Sequence, residues 1–238
     1  MGADRRSVGT GALINWIDVH DSDYELFEEW YLGQHLEERV GVPGFIRGRR
    51  FRAVDERSPG RYLTVYTTGS VDVLASAPYL ARLNSPTELT REVVAKFALF
   101  RRAAARITAR DGLATSGRVA VIELDPETTV GVAEVLESSI LPQARESRQI
   151  LSALFFEPDT AATAAKASTQ EGQAGTESLG PALLVVDLSP VAEPSWLVGV
   201  QRRLEQLGAT VLEPARLYDL IVDLSHDALQ EGLGHADR

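Results

Sequence analysis

Cysteine is absent from the 238-residue chain. That excludes disulfide scaffolds, thiolate metal sites and cysteine nucleophiles, and it fits a reducing cytosol. No apolar run approaches the ~20 residues of a membrane span. No hydrophobic stretch of signal-peptide type follows Arg5 and Arg6. The expectation is a cytoplasmic protein without membrane contact. Basic residues are in deficit, with 24 Lys and Arg against 34 Asp and Glu and a net charge of −10. Such a surface repels phosphate backbones, so nucleic acid is not an expected partner. P-loop, GxGxxG after a strand, GxSxG and HExxH are all missing, which argues against a bound nucleotide and a conventional serine or zinc hydrolase. Asp18, His20 and His35 lack the paired spacing of zinc motifs, so neither metal nor cofactor is expected.

What is present is an ordinary globular composition, 44% apolar and 24% charged, long enough for one large domain or two small ones. Two consecutive units of β-α-β-β-α-β order, the ferredoxin-like order, are read from the pattern. In the first, residues 12–19, 45–54, 61–68 and 103–109 read as strands. A helix runs from a capping-box start at Ser22 and Glu25 to about Val40, and a helical region from 71 to 100 is broken near Asn84-Ser85-Pro86. In the second, residues 118–124, 149–157, 182–188 and 216–224 read as strands. Helices run over 128–147, with Pro142 kinking or ending it, and over 194–207, closed by Gly208. A shift of 105 residues lays Trp16 on Val121, Phe27 on Val132, Phe45 on Ile150 and Phe51 on Phe156. The expected organisation is a flexible tail 1–11, a first unit 12–112 carrying the site, a structural second unit 113–225 and a flexible tail 226–238. Residues 158–180 are rich in Ala, Thr, Ser, Gln and Gly and read as an exposed insertion, inert or a lid.

Tyr24, Phe27, Tyr31, His35 and Glu38 fall on one stripe at about 100° per residue, and its aromatics mark it as inward. His35 there titrates near neutrality and can move protons, with Tyr31 one turn before it to orient it or bind an oxyanion. The alternative is a core histidine satisfied by a backbone carbonyl. Asn15 shares a strand face with Leu13, Ile17 and Val19 and needs hydrogen-bond partners in the protein or in a ligand. Tyr62, Thr64 and Tyr66 share a face of the third strand. Arg49 and Arg50 point to opposite faces, and one of them meets an anionic oxygen or both pair with acidic residues. Under the 105-residue shift, Asn15, Tyr31, His35, Arg49 and Arg50 become Ala120, Leu136, Ile140, Leu154 and Phe155. The fold does not demand the polar set, which argues for one functional site, in the first unit.

The sequence Glu29-Trp30-Tyr31…His35…Glu38-Arg39, followed by Val42-Pro43-Gly44-Phe45 and Arg49-Arg50-Phe51, resembles EthD-like and related members of the dimeric α+β-barrel superfamily. The resemblance covers about residues 12–110. It implies an α+β fold in which two ferredoxin-like sheets curve into a barrel, here within one chain, with further homodimerisation open. It also implies a small, often aromatic, substrate between sheet and helices and a histidine as acid or base.

The expected function is cofactor-independent acid/base chemistry, of isomerase, cyclase, lyase or decarboxylase type, on a small phenolic or β-keto compound. His35 and Tyr31 are the catalytic candidates. Asn15, Tyr66, Arg49 or Arg50 and Glu38 are the candidates for holding the substrate, with Phe27 and Trp30 as its wall. The alternatives are a cofactor-independent monooxygenase, a non-catalytic small-molecule-binding or stress-associated protein, and a haem protein with His35 as axial ligand.

Overall fold

The computed structural model describes residues 8–55, 59–167, 169 and 179–236. The remainder of the expected N-terminal tail, of the turn at 56–60, of the 158–180 insertion and of the C-terminal tail lies outside the described residues. Eight strands form one closed barrel: β1 (Gly11–Val19), β2 (Phe45–Ala53), β3 (Tyr62–Thr68), β4 (Phe97–Gly112), β5 (Arg118–Leu124), β6 (Ile150–Pro158), β7 (Ala182–Leu188) and β8 (Arg216–Ser225). Their order around the barrel is β1-β3-β2-β8-β5-β7-β6-β4, and every pairing is antiparallel. Closure leaves no exposed sheet edge. The run β4-β1-β3-β2 is followed by β8-β5-β7-β6, and the halves join along β2–β8 and β4–β6.

Alternation along the strands sorts their side chains to two faces. Trp16, Phe51, Leu63, Ala103, Val121, Phe156, Leu183 and Tyr218, one from each strand, belong to a single buried cluster that fills the barrel interior. The opposite faces pack under helices, as one cluster around Leu13, Phe27, Tyr31 and Tyr66 and another around Ala120, Leu136, Phe155 and Val186. On the helix-facing side of the first half, the buried polar residues Asn15, Thr64 and Arg50 stand beside the first of these clusters.

The first helix (residues 24–40) is α-helical over Tyr24–Trp30, π-helical over Tyr31–His35 and α-helical again over Leu36–Val40. Its counterpart (residues 132–146) has its π-helical turn at Leu136–Ile140, which is 105 residues further on. β2 and β6 also obey that shift, from Phe45–Ala53 to Ile150–Pro158. The capping box does not form. A 3-10 turn, Asp21–Asp23, opens the helix, and no side chain caps it. Pro142 stands in the first turn of the α-helical stretch Leu141–Glu146 just after the π-helical turn, so the helix continues through it.

The helical region expected to 100 ends sooner. A 3-10 turn (Val71–Ala75) and helices Ala77–Leu83 and Glu88–Val94 occupy it, the helices capped by Ser76 and Thr87. β4 then starts at Phe97 because its first part pairs with β1 and its last part with β6. The stretch expected as a C-terminal tail forms helix His226–Ala236 after β8, with His226 Nδ1 2.7 Å from the Val40 carbonyl.

Within the expected insertion, Thr160–Ala167 is a helix, consistent with its alanine content. Asp159 anchors it, accepting from the Ala162 amide at 2.8 Å and from Arg106 at 2.8 Å. The helix packs against β4 and the 3-10 turn, and Ala162 joins the cluster under the first helix. A segment of the second half thus covers part of the first half's helix-facing layer.

Candidate functional site

A row of polar residues crosses the sheet of the first half on its helix-facing side. Strand register sets Arg50 of β2 opposite Thr64 of β3, Thr64 opposite Asn15 of β1, and Asn15 opposite Arg102 of β4. All four side chains are buried. The matching row through Ala120 runs Ala153, Val186, Ala120 and Leu217 and is wholly apolar. Since one fold accommodates both rows, the polar one is not a packing requirement.

The first helix lies over this row. The Tyr31 hydroxyl is 2.6 Å from Thr64 Oγ1 and 3.1 Å from the Tyr66 hydroxyl. Three hydroxyls hold three protons and share two hydrogen bonds, so one proton is left to donate elsewhere. Burial raises the pKa of Tyr31, with the Arg50 guanidinium opposing that rise. Burial and the neighbouring Tyr31 push Tyr66 well above the usual phenol value. Both are neutral phenols at physiological pH, suited to donating a hydrogen bond to a developing oxyanion.

Arg50 is fully buried and makes a two-pronged ion pair with Glu28, at 2.8 and 2.5 Å. Its guanidinium also stacks at 4.1 Å from the Tyr31 ring centre, 4.9 Å from Phe27 and 5.0 Å from Tyr62. Arg49 faces the other way. It pairs with Asp187 of β7, at 2.9 and 2.7 Å, and with the Ser116 carbonyl. Of the two arginines, Arg50 belongs to the helix-facing layer, and Arg49 ties the two halves together.

His35 is 7% exposed. Its ring lies 4.2 Å from that of Trp30 and 5.1 Å from that of Tyr31. Trp30 is fixed in turn by its indole N–H, which donates to Thr90 Oγ1 at 3.0 Å. Five residues along an α-helix lie about 140° apart, so the Trp30–His35 stack depends on the π-helical turn. Among the described residues, no backbone carbonyl accepts from the His35 ring, whose neighbours are the rings of Trp30 and Tyr31. Burial, then the charges of Arg39, Arg50 and Arg82, holds its pKa well below the ordinary imidazole value. The expectation of titration near neutrality is corrected: His35 is a neutral imidazole at pH 7, because desolvation and guanidinium groups all oppose a second proton.

Glu38 is not in the layer. The π-helical turn inserts one residue, so Leu36, Arg39 and Val40 turn inward beyond it, and Glu38 pairs with Arg82 at 2.8 Å at the rim. Tyr24, at the other end of the stripe, is exposed and stacks on Tyr62. Asp18 accepts from the amides of Gly60 and Arg61, and His20 is exposed. Arg102 and Glu28 join Thr64, the strand-face neighbour of Tyr62 and Tyr66, in the arrangement but do not themselves stand out in the sequence. Only the cross-strand register and the helix placement reveal them.

No family model and no curated protein matches the chain. Solved structures do. An anthrone oxidase-like protein superimposes with a TM-score of 0.56 at 10% identity, over 94% of this chain and 96% of that one. A candidate monooxygenase from Fusobacterium nucleatum gives 0.51 at 7% identity, over 91% and 95%. A candidate chlorite dismutase gives 0.50 at 10% identity, over 94% and 99%. The fold is that of the dimeric α+β barrels. In this chain the eight strands of the α+β barrel come from one polypeptide, and the likeness extends over nearly all of it. At such identities the likeness concerns the fold, and it does not single out the EthD-like members. Among the described residues, no helix is long and apolar enough to cross a membrane.

Proposed function

We propose that the chain is a small-molecule enzyme whose substrate, a hydrophobic phenol or enolisable carbonyl compound, occupies the helix–sheet layer of the first half. The observation that carries this reading is the buried row Arg50–Thr64–Asn15–Arg102 set against an apolar row in the second half. Buried polarity that the fold does not need is a cost, and such costs concentrate at functional sites. In this reading the two halves are tandem ferredoxin-like units, supported by the repeated strand order and the 105-residue shift. The first carries the site and the second is scaffold. The closer likeness to EthD-like members rests on Trp30-Tyr31…His35 and the Pro43-Gly44-Phe45 turn.

The chemistry is removal of a proton next to a carbonyl or from a phenol. The neutral His35 has a free electron pair to accept that proton, and its buried surroundings make the imidazolium a short-lived carrier. Tyr31, backed by Tyr66 and Thr64, donates to the resulting oxyanion. Isomerisation, cyclisation or decarboxylation can each follow from one enolate.

A second reading is oxygenation without a cofactor, favoured by the anthrone oxidase-like neighbour. A deprotonated aromatic methylene would be converted to a carbonyl, consuming one O₂ and releasing one water. Assays on anthrone and on β-keto esters, following substrate loss by mass spectrometry and O₂ by electrode, test both. The expected result is turnover that falls about 100-fold or more in His35→Phe and Tyr31→Phe. Uptake of O₂ in step with substrate loss selects the second reading. Binding without turnover, altered only in affinity by His35→Phe, would leave a binding protein instead.

A further inference from the structure

Asn15 is 6% exposed, and its side-chain oxygen is buried without a hydrogen-bond partner. A buried amide oxygen lacking a donor is uncommon and costly. Its cross-strand neighbour is Thr64, at one end of the three-hydroxyl chain with Tyr31 and Tyr66. That chain has one proton more than it can use internally. One side of the Asn15–Thr64 pair thus lacks a donor and the other has a proton to give.

One chemical group answers both at once: an oxygen that donates one hydrogen bond and accepts another. A hydroxyl does so. An ether or a ketone oxygen only accepts, and a carboxylate would press its charge against the Asn15 oxygen. We propose that Asn15 and the Thr64–Tyr31–Tyr66 chain form a hydroxyl-reading subsite, which takes the protonated –OH of a phenol or enol and rejects its methyl ether. This rests on the reading of the layer as a small-molecule site and adds what the site recognises.

The test is binding of matched pairs to the full chain by calorimetry: phenol and anisole, 1-naphthol and 1-methoxynaphthalene, 2-hydroxyanthraquinone and 2-methoxyanthraquinone. The expected result is at least about tenfold tighter binding of the hydroxyl member of a pair, about 1.4 kcal/mol at 25 °C. Asn15→Leu removes the acceptor on an otherwise apolar face, and Thr64→Val removes the adjoining hydroxyl while keeping its shape. Each should bring the pair to within about twofold by weakening the hydroxyl member. Far-ultraviolet circular dichroism establishes that each variant is folded, and either variant alone decides the matter if the other does not fold. Equal binding of both members to the unaltered chain overturns the subsite and leaves the small-molecule site standing. So does discrimination that survives in a folded variant. Binding of neither member of any pair overturns both.

Discussion

Arg50 and Glu28 show how much the layer depends on single side chains. A guanidinium with no exposed surface is tolerable only while its carboxylate partner and the three aromatic rings surround it. Glu28→Ala leaves that charge buried and uncompensated, with an expected loss of about 3–5 kcal/mol in denaturant unfolding. The double variant Glu28→Leu, Arg50→Met should recover most of it, since matched apolar replacements remove the desolvation problem. His35 brings a pH dependence of definite sign. Its folded pKa lies below the unfolded value of about 6.5, so below that pH the unfolded chain binds a proton the folded chain refuses. Its contribution is complete above about pH 6.5 and is lost on acidification at up to about 1.4 kcal/mol per pH unit. Urea titrations between pH 5 and 8 should show this slope, and His35→Phe should lessen it by about one proton.

The sequence marks Asn15 as a polar residue on an apolar strand face, Tyr31 and His35 as members of an inward stripe and Tyr66 as a strand neighbour of Tyr62 and Thr64, and it leaves open which of Arg49 and Arg50 faces the helices. The comparison with Ala120, Leu136, Ile140 and Phe155 was enough to mark most of them. Glu38 was misread because a 100° stripe assumes an unbroken α-helix, and titration of His35 near neutrality was misread because its three arginine neighbours come from two helices and a strand. Arg102 gains meaning only from register, a long-range property that no local pattern encodes.

Among the elements, the π-helical turn Tyr31–His35 decides the geometry of the site. It sets Trp30 against His35 and turns Arg39 rather than Glu38 inward. Gly33 sits in the turn with open space where a Cβ would be. Deleting Gly33 restores the α-helical spacing and is expected to abolish the Trp30–His35 stack, seen as loss of the ring-current shift on the His35 imidazole protons. Gly33→Ala keeps the length and should keep that shift, adding about 0.5–1 kcal/mol of stability. The strands were well placed from alternation, with β5 and β7 at their expected bounds. β4 runs beyond its expected bounds at both ends because Phe97–Arg102 extend its pairing with β1 and Arg110–Gly112 its pairing with β6 across the junction. The helix at 160–167 was read as loop because its composition lacks large apolar residues, while its anchoring by Asp159 and Arg106 is tertiary.

At the scale of the molecule, the barrel is one continuous hydrogen-bonded ring whose interior draws on both halves. Neither half can close it alone. The first half, residues 1–113, would expose the β2 and β4 edges and half of the interior cluster, a template for pairing with another chain. Expressed separately, it is expected to run as a dimer or larger species in light scattering, while the full chain unfolds in one cooperative transition. A stable monomeric first half would show that the seams β2–β8 and β4–β6 are dispensable. The order of strands and helices was legible as a repeat of pattern. Closure into one barrel is expected only through the resemblance to dimeric α+β barrels, and the edges that meet, β2–β8 and β4–β6, are not, because nothing local says which edges pair.

Whether the first half's helix-facing layer is a small-molecule site built around a neutral His35 is tested first by ¹⁵N NMR of the His35 imidazole. It would be followed from pH 4 to 8 with and without 1-naphthol and assigned with His35→Phe. The ring is expected to titrate well below the ordinary imidazole value, and its nitrogen shifts to change on adding the compound. A ring that titrates near 6.5 and is unmoved by the compound would contradict it.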